Sequence, residues 1–312
     1  MNKMRQFAAI GEAMIELCHQ QNRTLSMSFA GDSLNTSVYL ARLFPSTQTR
    51  VNYVTLLGTD PYSEMMLADW QQEGINTKHI DQLAHKLPGL YLIRTDAAGE
   101  RSFYFYRSQS AARELFNAEH AEKMENVLLT MDYLYLSNIT LAILDEDKYQ
   151  RLLILLKKAK AKGAIIIFDT NYRPSLWATV EAAQRATQDI MRFVDISLAT
   201  FDDEKKLFGD STPEQSADRL HQLGAKEVVV KCGPSPCLVS FAGKQHLVPA
   251  QTVEKVADTT SAGDAFNAGY LAARWQNYPP DVAAAYGHRL ASTVIQYPGA
   301  IVPRQAMPVV FE

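Results

Sequence analysis

Asp258-Thr259-Thr260-Ser261-Ala262-Gly263-Asp264, followed by Ala265-Phe266-Asn267-Ala268-Gly269-Tyr270-Leu271-Ala272-Ala273, is the stretch from which the rest of the chain is best read. Small residues run up to one aspartate, and then Phe266, Tyr270, Leu271 and Trp275 recur at helical spacing. The pattern predicts a helix over 265–276 with Asp264 at its N-cap. The first amides of a helix lack partners within it and carry partial positive charge, so they attract anions. Ser261, Ala262 and Gly263 are small enough to let a phosphate reach the main chain, with Asp264 beside it. An anion cradle next to a carboxylate suits phosphoryl transfer to a hydroxyl. A capped helix after a tight turn leaves the same pattern, and the stretch alone allows both. The helix dipole favours an aspartate anion at this end, which predicts a low pKa for Asp264.

Outward from this stretch, strands and helices alternate. Strands are expected at 7–10, 51–57, 132–137, 165–168, 194–198 and 227–231. Helices are expected after the turn at 28–35, from Pro61 to about 74, over 146–162, up to 208, over 214–223 and over 280–296. A hairpin is expected from 237–241 and 245–248 around Ala242-Gly243-Lys244. Such alternation implies a mainly parallel sheet covered on both faces. A second hairpin, 90–95 with 101–107 around Asp96-Ala97-Ala98-Gly99, has a different texture. Along it Phe103 and Phe105 point one way, Tyr104 and Tyr106 the other. It suits a sheet edge, an oligomer contact or a lid, and tyrosines offer a sugar both ring and hydroxyl. The whole of 1–312 reads as one α/β domain with a β lid drawn from about 12–30 and 88–107.

Composition narrows the function. The net charge of −3 and the lack of a basic stripe argue against nucleic acid as a partner. The three cysteines, Cys18, Cys232 and Cys237, form no C-x-x-C pair and suit free thiols in a reducing cytoplasm. Glu12 and Glu16 follow Lys3 and Arg5 too soon for a signal peptide, and no uncharged run approaches a membrane span. There is no G-x-x-x-x-G-K-[ST], no G-x-G-x-x-G after the first strand and no G-x-S-x-G. No histidine pair has metal-ligand spacing, and His288 is read as packing locally. The helix start is the anion site that remains.

The nine residues 258–266 resemble the D-T-T-x-A-G-D-x-F signature of the ribokinase-like, or PfkB, carbohydrate kinases. Ala30-Gly31-Asp32-Ser33-Leu34-Asn35 is similar to that family's N-terminal G-G-D-x-x-N element. Five further stretches resemble one subgroup, the 2-keto-3-deoxygluconate kinases: Leu87-Pro88-Gly89-Leu90-Tyr91, the strand at 104–107, Phe168-Asp169-Thr170-Asn171-Tyr172-Arg173-Pro174-Ser175-Leu176-Trp177, Val229-Val230-Lys231, and 291–297 with Gly299-Ala300. The resemblance spans essentially the whole chain. It implies a three-layer α/β/α fold with a small β-sheet lid, and ATP and Mg²⁺ as cofactors.

The resemblance also implies roles. Asp264 would be the catalytic base, and the amides of Ser261, Ala262 and Gly263 the anion hole. Gly31, Asp32 and Asn35, with Ser33 and Leu34 between them, would bind the sugar. Tyr91, Tyr104 and Tyr106, with Phe105, would close over it. Arg173 with Asn171, and Tyr172 between them, would reach from substrate to the ATP phosphates. Lys231, Gly233, Pro234, Ser235 and Pro236 would line the nucleotide side. An arginine fork binds a carboxylate through two parallel bonds, so Arg173 suggests an acidic sugar, phosphorylated at its 6-position by analogy. A neutral sugar such as fructose or ribose is the alternative, as is a sugar-binding regulator without catalysis. For Arg173 a surface ion pair is the simpler role, and for the tyrosines core or dimer packing. A homodimer through the lid is expected.

Several positions depart from the family pattern. Ala30 and Ser261 stand where glycine is usual, and Asn138 where the subgroup often has glycine. Thr200-Phe201-Asp202-Asp203 replaces N-x-x-E, leaving Asp203 as a residue to hold metal through water. Pro234 and Pro236 stiffen the loop after Lys231 and remove N–H donors.

Overall fold

The computed structural model describes residues 4–20, 23–95, 101–309 and 311; the expected turn at 96–99 lies outside them, as do positions 21–22 of the expected lid. In chain order the strands are β1 (Arg5–Ile10), β2 (Met14–His19), β3 (Leu25–Ala30), β4 (Thr49–Val54), β5 (Leu56–Gly58), β6 (Asp81–Leu83), β7 (Gly89–Thr95), β8 (Arg101–Tyr106), β9 (Tyr133–Ser137), β10 (Ile165–Asp169), β11 (Ile196–Thr200), β12 (Glu227–Cys232), β13 (Ser235–Phe241) and β14 (Lys244–Val248). Eight of them form the central sheet in the order β14-β13-β12-β11-β10-β9-β1-β4. It is parallel from β12 to β4, and β13 and β14 add an antiparallel edge.

Side chains alternate across this sheet, and each set enters a different core. Phe7 and Ala9 of β1 pack with helices Asp32–Leu43, Pro61–Gln72, Ala262–Trp275 and Pro280–Val294 on one side. Ala8 and Ile10 pack with Ala121–Leu128, Glu146–Ala161, Val180–Met191 and Pro213–Leu223 on the other. This is the three-layer α/β/α fold with a parallel-dominated sheet.

Local expectations need four corrections. The apolar run 51–57 is two strands, because the chain changes partner at Thr55: β4 lies along β1, whereas β5 pairs with β6. The strand expected at 194–198 sits at Ile196–Thr200, so the following helix begins at Phe201. The loop after Lys231 is a tight turn, since Cys232 pairs with Ser235 and Gly233 takes φ 59°. The helices Ala121–Leu128, Asn138–Ala142 and Val180–Met191 have no counterpart in the sequence reading. In the last of them the buried face runs through Ala183, Ala186 and Thr187, and large apolar residues, Ile190 and Met191, enter it only in the final turn.

A separate four-stranded sheet, in the order β3-β2-β7-β8, stands beside the main one. Its register places Tyr91 opposite Phe105 and Ile93 opposite Phe103; Leu90 with Tyr106 and Leu92 with Tyr104 occupy the other face. The ends of β9, β10, β11 and β12 deliver Ser137, Asp169, Thr200 and Lys231 to one rim of the main sheet. In open α/β sheets, ligands bind outside the carboxyl ends of the strands.

Candidate active site

The helix Ala262–Trp275 starts one turn earlier than its apolar pattern suggests. Its N-cap is Ser261, held at φ 65°, and Asp264 is the third residue of the first turn rather than the cap. Asp258 pins the preceding turn by accepting the amides of Thr260 at 2.9 Å and Gly299 at 2.8 Å. Burial works against its charge, but these bonds and the Arg101 guanidinium hold its carboxyl below the usual range. Gly263 leaves the amide run uncovered; a Cβ there would meet only Lys231 Nζ, at 3.5 Å. The Ser261 hydroxyl is buried without a hydrogen-bond partner among the described residues.

Asp264 is half-buried. Its Oδ2 accepts Asn35 Nδ2 at 2.8 Å, and its carbonyl accepts Thr36 Oγ1 at 3.3 Å. The low pKa expected from the helix dipole is not found. Desolvation and the neighbouring carboxylates of Asp32 and Asp169 push Asp264 up to about 7, against the opposing pull of Asn35 and Lys231. Desolvation outweighs the dipole because the helix end faces a packed polar cluster instead of water.

That cluster is continuous. Asp32 Oδ2 accepts Asn171 Nδ2 at 2.9 Å, and burial raises the pKa of Asp32. Asp169, 2% exposed, accepts Asn267 Nδ2 at 2.9 Å; the same amide nitrogen reaches Tyr135 Oη at 3.0 Å. Lys231 Nζ donates to Asn267 Oδ1 at 2.9 Å and lies 3.6 Å from Asp169. Lys231 therefore turns inward to the carboxylates and Gly263, whereas Gly233, Pro234, Ser235 and Pro236, expected beside it on the nucleotide side, stand at the surface. Ser235 and Pro236 are exposed residues at the start of β13.

Gly31 is required by a close crossing, because a Cβ there would stand 2.2 Å from the carbonyl oxygen of Glu12. Asp32 and Asn35 join the cluster, but Ser33 and Leu34 do not. Ser33 turns to Tyr53 Oη at 3.1 Å, and Leu34 belongs to the core. Tyr172 is buried against Ala183 and Leu207, and offers its carbonyl to Arg173 at 2.9 Å. Arg173 is half-exposed and 3.4 Å from Asp203. Desolvation and Asp169 raise the pKa of Asp203, while Arg173 lowers it.

The small sheet also corrects the lid residues. Tyr91 bonds to Glu16, which accepts Ser28 Oγ at 2.8 Å, and Tyr91 packs on Phe105 at 5.5 Å. On that same face Arg101 reaches Asp258, and just beyond β8 Arg107 pairs with buried Glu12, so this face looks toward the site. Tyr104 and Tyr106, 53% and 65% exposed, lie on the opposite face. The inward aromatics are Tyr91, Phe103 and Phe105.

Sequence reasoning left Asp169, Asn267, Thr36, Tyr135, Glu12, Glu16, Arg101 and Arg107 without roles. Two had a signal. Asp169 directly follows an expected parallel strand, where ligands gather, and Asn267 lies one helical turn after Asp264. Glu16, Arg101 and Arg107, with Glu12 as the partner of Arg107, depend on the register of the small sheet, whereas Thr36 and Tyr135 meet only because the helix Asp32–Leu43 packs beside β9. His288 packs edge-on to Phe266 at 5.0 Å, and burial lowers its pKa. Among the described residues no group of three or more His, Cys, Asp or Glu is placed to hold a metal ion. Mg²⁺ keeps several waters and needs only one or two carboxylates beside substrate phosphates, and Asp203 fits that more modest demand.

The description "pfkB family carbohydrate kinase" matches residues 4–307. The chain is 47% identical over 307 residues to the 2-dehydro-3-deoxygluconokinase of Escherichia coli K12, covering 97% of this chain and 99% of that one. It is 41% identical to the enzyme of the same name from Haemophilus influenzae, covering 97% and 98%. A solved structure described as a putative ribokinase II from E. coli in complex with ATP and Mg²⁺ superimposes with a TM-score of 0.82 at 20% identity, covering 98% of this chain and 96% of that one.

Proposed function

This chain belongs to the pfkB family of carbohydrate kinases, and from that premise we propose that it phosphorylates 2-keto-3-deoxygluconate at its 6-hydroxyl, with ATP as donor. The observation that carries the chemistry is Asp264 standing in the same helical turn as Gly263, where a Cβ would meet only Lys231 Nζ; the Ala262 amide beside it also donates to the Thr259 carbonyl at 3.2 Å. The sugar hydroxyl donates its proton to the Asp264 carboxylate as its oxygen bonds to the γ-phosphorus, the bond from that phosphorus to the β,γ-bridging oxygen breaks, and ADP leaves with that electron pair. Asn35 fixes the orientation of that carboxylate, and the amides of 261–263 receive the charge on the migrating phosphoryl group. Phosphoryl transfer has a loose transition state, so such positioning and charge stabilisation dominate. Asp203 would hold Mg²⁺ through water, and the ion would supply charge neutralisation to the ATP phosphates. Asp32 and Asn171 present the sugar hydroxyl side, and Tyr91 with Phe105 covers the sugar from the small sheet.

The acidic group of the sugar calls for a guanidinium. Arg173 offers one at the Asp203 rim, and its exposure leaves it open to a ligand. The deciding assay compares the keto-deoxy acid with fructose. Arg173→Gln is expected to raise KM for the acid by about 10–100-fold, the worth of a charged hydrogen bond. A higher kcat/KM on fructose would sink the acidic-sugar reading. A regulator without catalysis predicts no sugar-dependent ADP release at all.

The outward face of the small sheet carries two cross-strand apolar rows, Met27-Leu17-Leu92-Tyr104 and Phe29-Ile15-Leu90-Tyr106, in which Met27, Tyr104 and Tyr106 are exposed, Ile15 is buried and the rest are half-buried. An apolar face of this kind marks an association surface, and a second copy of this chain is the partner that the family resemblance supports. Sedimentation should find a dimer that Met27→Lys with Tyr106→Lys converts to monomer; a wild-type monomer at micromolar concentration refutes it. No helix among the described residues is long and apolar enough to cross a membrane. With three free cysteines, a reducing cytoplasm is the proposed location.

A further inference from the structure

We propose that Arg101 is a positioning residue that fastens the inner face of the small sheet to the turn carrying the amide run, so that covering the sugar and assembling the phosphoryl cradle are one event. The inference rests on 261–263 as the phosphoryl-binding amides and on the small sheet as the sugar cover.

Arg101 opens β8, 157 positions before Asp258. Its Nη1 donates to Asp258 Oδ1 and, at 2.8 Å, to Thr260 Oγ1. The two acceptors flank Thr259, so one guanidinium grips the turn at two side chains. Thr260 directly precedes Ser261, whose φ of 65° directs the amides that follow. Asp258 is buried and also holds the amides of Thr260 and Gly299, so the grip acts on a residue that already shapes the turn.

The same guanidinium lies over the Phe103 ring, 6.0 Å from its centre. Phe103 stacks on Phe105 at 6.3 Å, and both meet Tyr91, at 6.4 and 5.5 Å. Tyr91 is held in turn by Glu16 of β2. Contact therefore runs without a gap from the sugar-facing aromatics through Arg101 to the cradle. Contact alone does not establish coupling; coupling requires that the seated Arg101 be in exchange with a state in which the turn is released, and amide exchange reads that state. A sugar that binds the aromatic face favours the seated state and, by linkage, the formed cradle. Arginine suits the task because one guanidinium nitrogen, Nη1, serves both acceptors while the planar group lies near a ring.

Arg101→Gln removes the charge while keeping a polar stem. Hydrogen exchange at the amides of 259–263, measured without substrate, should quicken in the variant, with the thermal midpoint unchanged. Its kcat should fall about tenfold, the scale of one charged hydrogen bond, with KM for ATP nearly unchanged. Combined with Thr260→Val, the loss should be smaller than the product of the two single losses. Wild-type exchange and wild-type kcat in Arg101→Gln overturn the proposal. So do fully multiplying losses, or a lowered thermal midpoint with normal kcat per folded molecule. If the wild-type chain phosphorylates no sugar, the kinase reading fails, while the exchange experiment still decides whether Arg101 holds the turn.

Discussion

Asp264→Asn is expected to lower kcat by more than the ~10²–10⁴ typical of general acid–base catalysis, because the carboxylate also orients the attacked hydroxyl. The pKa of the group gives two further readouts. Raised to about 7, Asp264 is protonated on the acid side and cannot accept a proton there. In the wild type, kcat/KM should therefore fall as pH drops through about 7. Stability follows the opposite course. A carboxyl whose folded pKa exceeds its ordinary 3.8 stabilises the fold below 3.8, and this contribution is lost as pH rises toward about 7. At pH 8 the wild type carries an ionised, crowded base that the Asn variant lacks. Asp264→Asn should accordingly melt at a higher temperature than wild type at pH 8, with the gap closing as the pH is lowered to 4. A variant that keeps most of its kcat removes Asp264 from the role of base, whatever its melting temperature.

Lys231→Met is expected to give the largest loss of stability, about 3–5 kcal/mol, as for a buried ion pair stripped of one partner. Lys231 is 7% exposed and faces Asp169, which is 2% exposed. Removing the ammonium leaves that carboxylate buried with neutral donors alone, Asn267 Nδ2 at 2.9 Å, the Asn171 amide at 3.3 Å and Tyr135 Oη at 3.4 Å. Lys231 is also one of the two influences that lower the pKa of Asp264. The acid limb of the pH–rate profile should therefore move upward in the variant, provided measurement is made where it remains folded. Urea titration gives the first quantity and kcat/KM against pH the second. Wild-type stability with an unshifted profile would show that the Lys231 contact with the cluster has no energetic weight.

The parts of this molecule legible in the sequence are those with a local cause. The helix after Asp264 announces itself by Phe266, Tyr270 and Leu271, and the parallel strands by short apolar runs such as Ile165-Ile166-Ile167-Phe168. What escaped depends on contacts between distant segments. The pKa of Asp264 reverses because folding desolvates it and brings Asp32 and Asp169 from 232 and 95 positions away in sequence, and no local rule contains either. Tyr104 and Tyr106 were correctly set opposite Phe103 and Phe105 by alternation. Which pair looks inward was fixed only by where Arg101 and Arg107 find their carboxylates. The inward turn of Lys231 was hidden likewise, since its partner Asn267 belongs to another element.

The alternation along β8 has a consequence for how such a protein can change over generations. Residues 101, 103 and 105 belong to the face turned toward the site, and 102, 104 and 106 to the face turned away. A single substitution in this strand therefore alters either what the site meets or what the outside meets, and leaves the other untouched. Inherited variation can explore the two separately, one codon at a time. Gain or loss of one codon within the strand interchanges the two sets and disturbs both together.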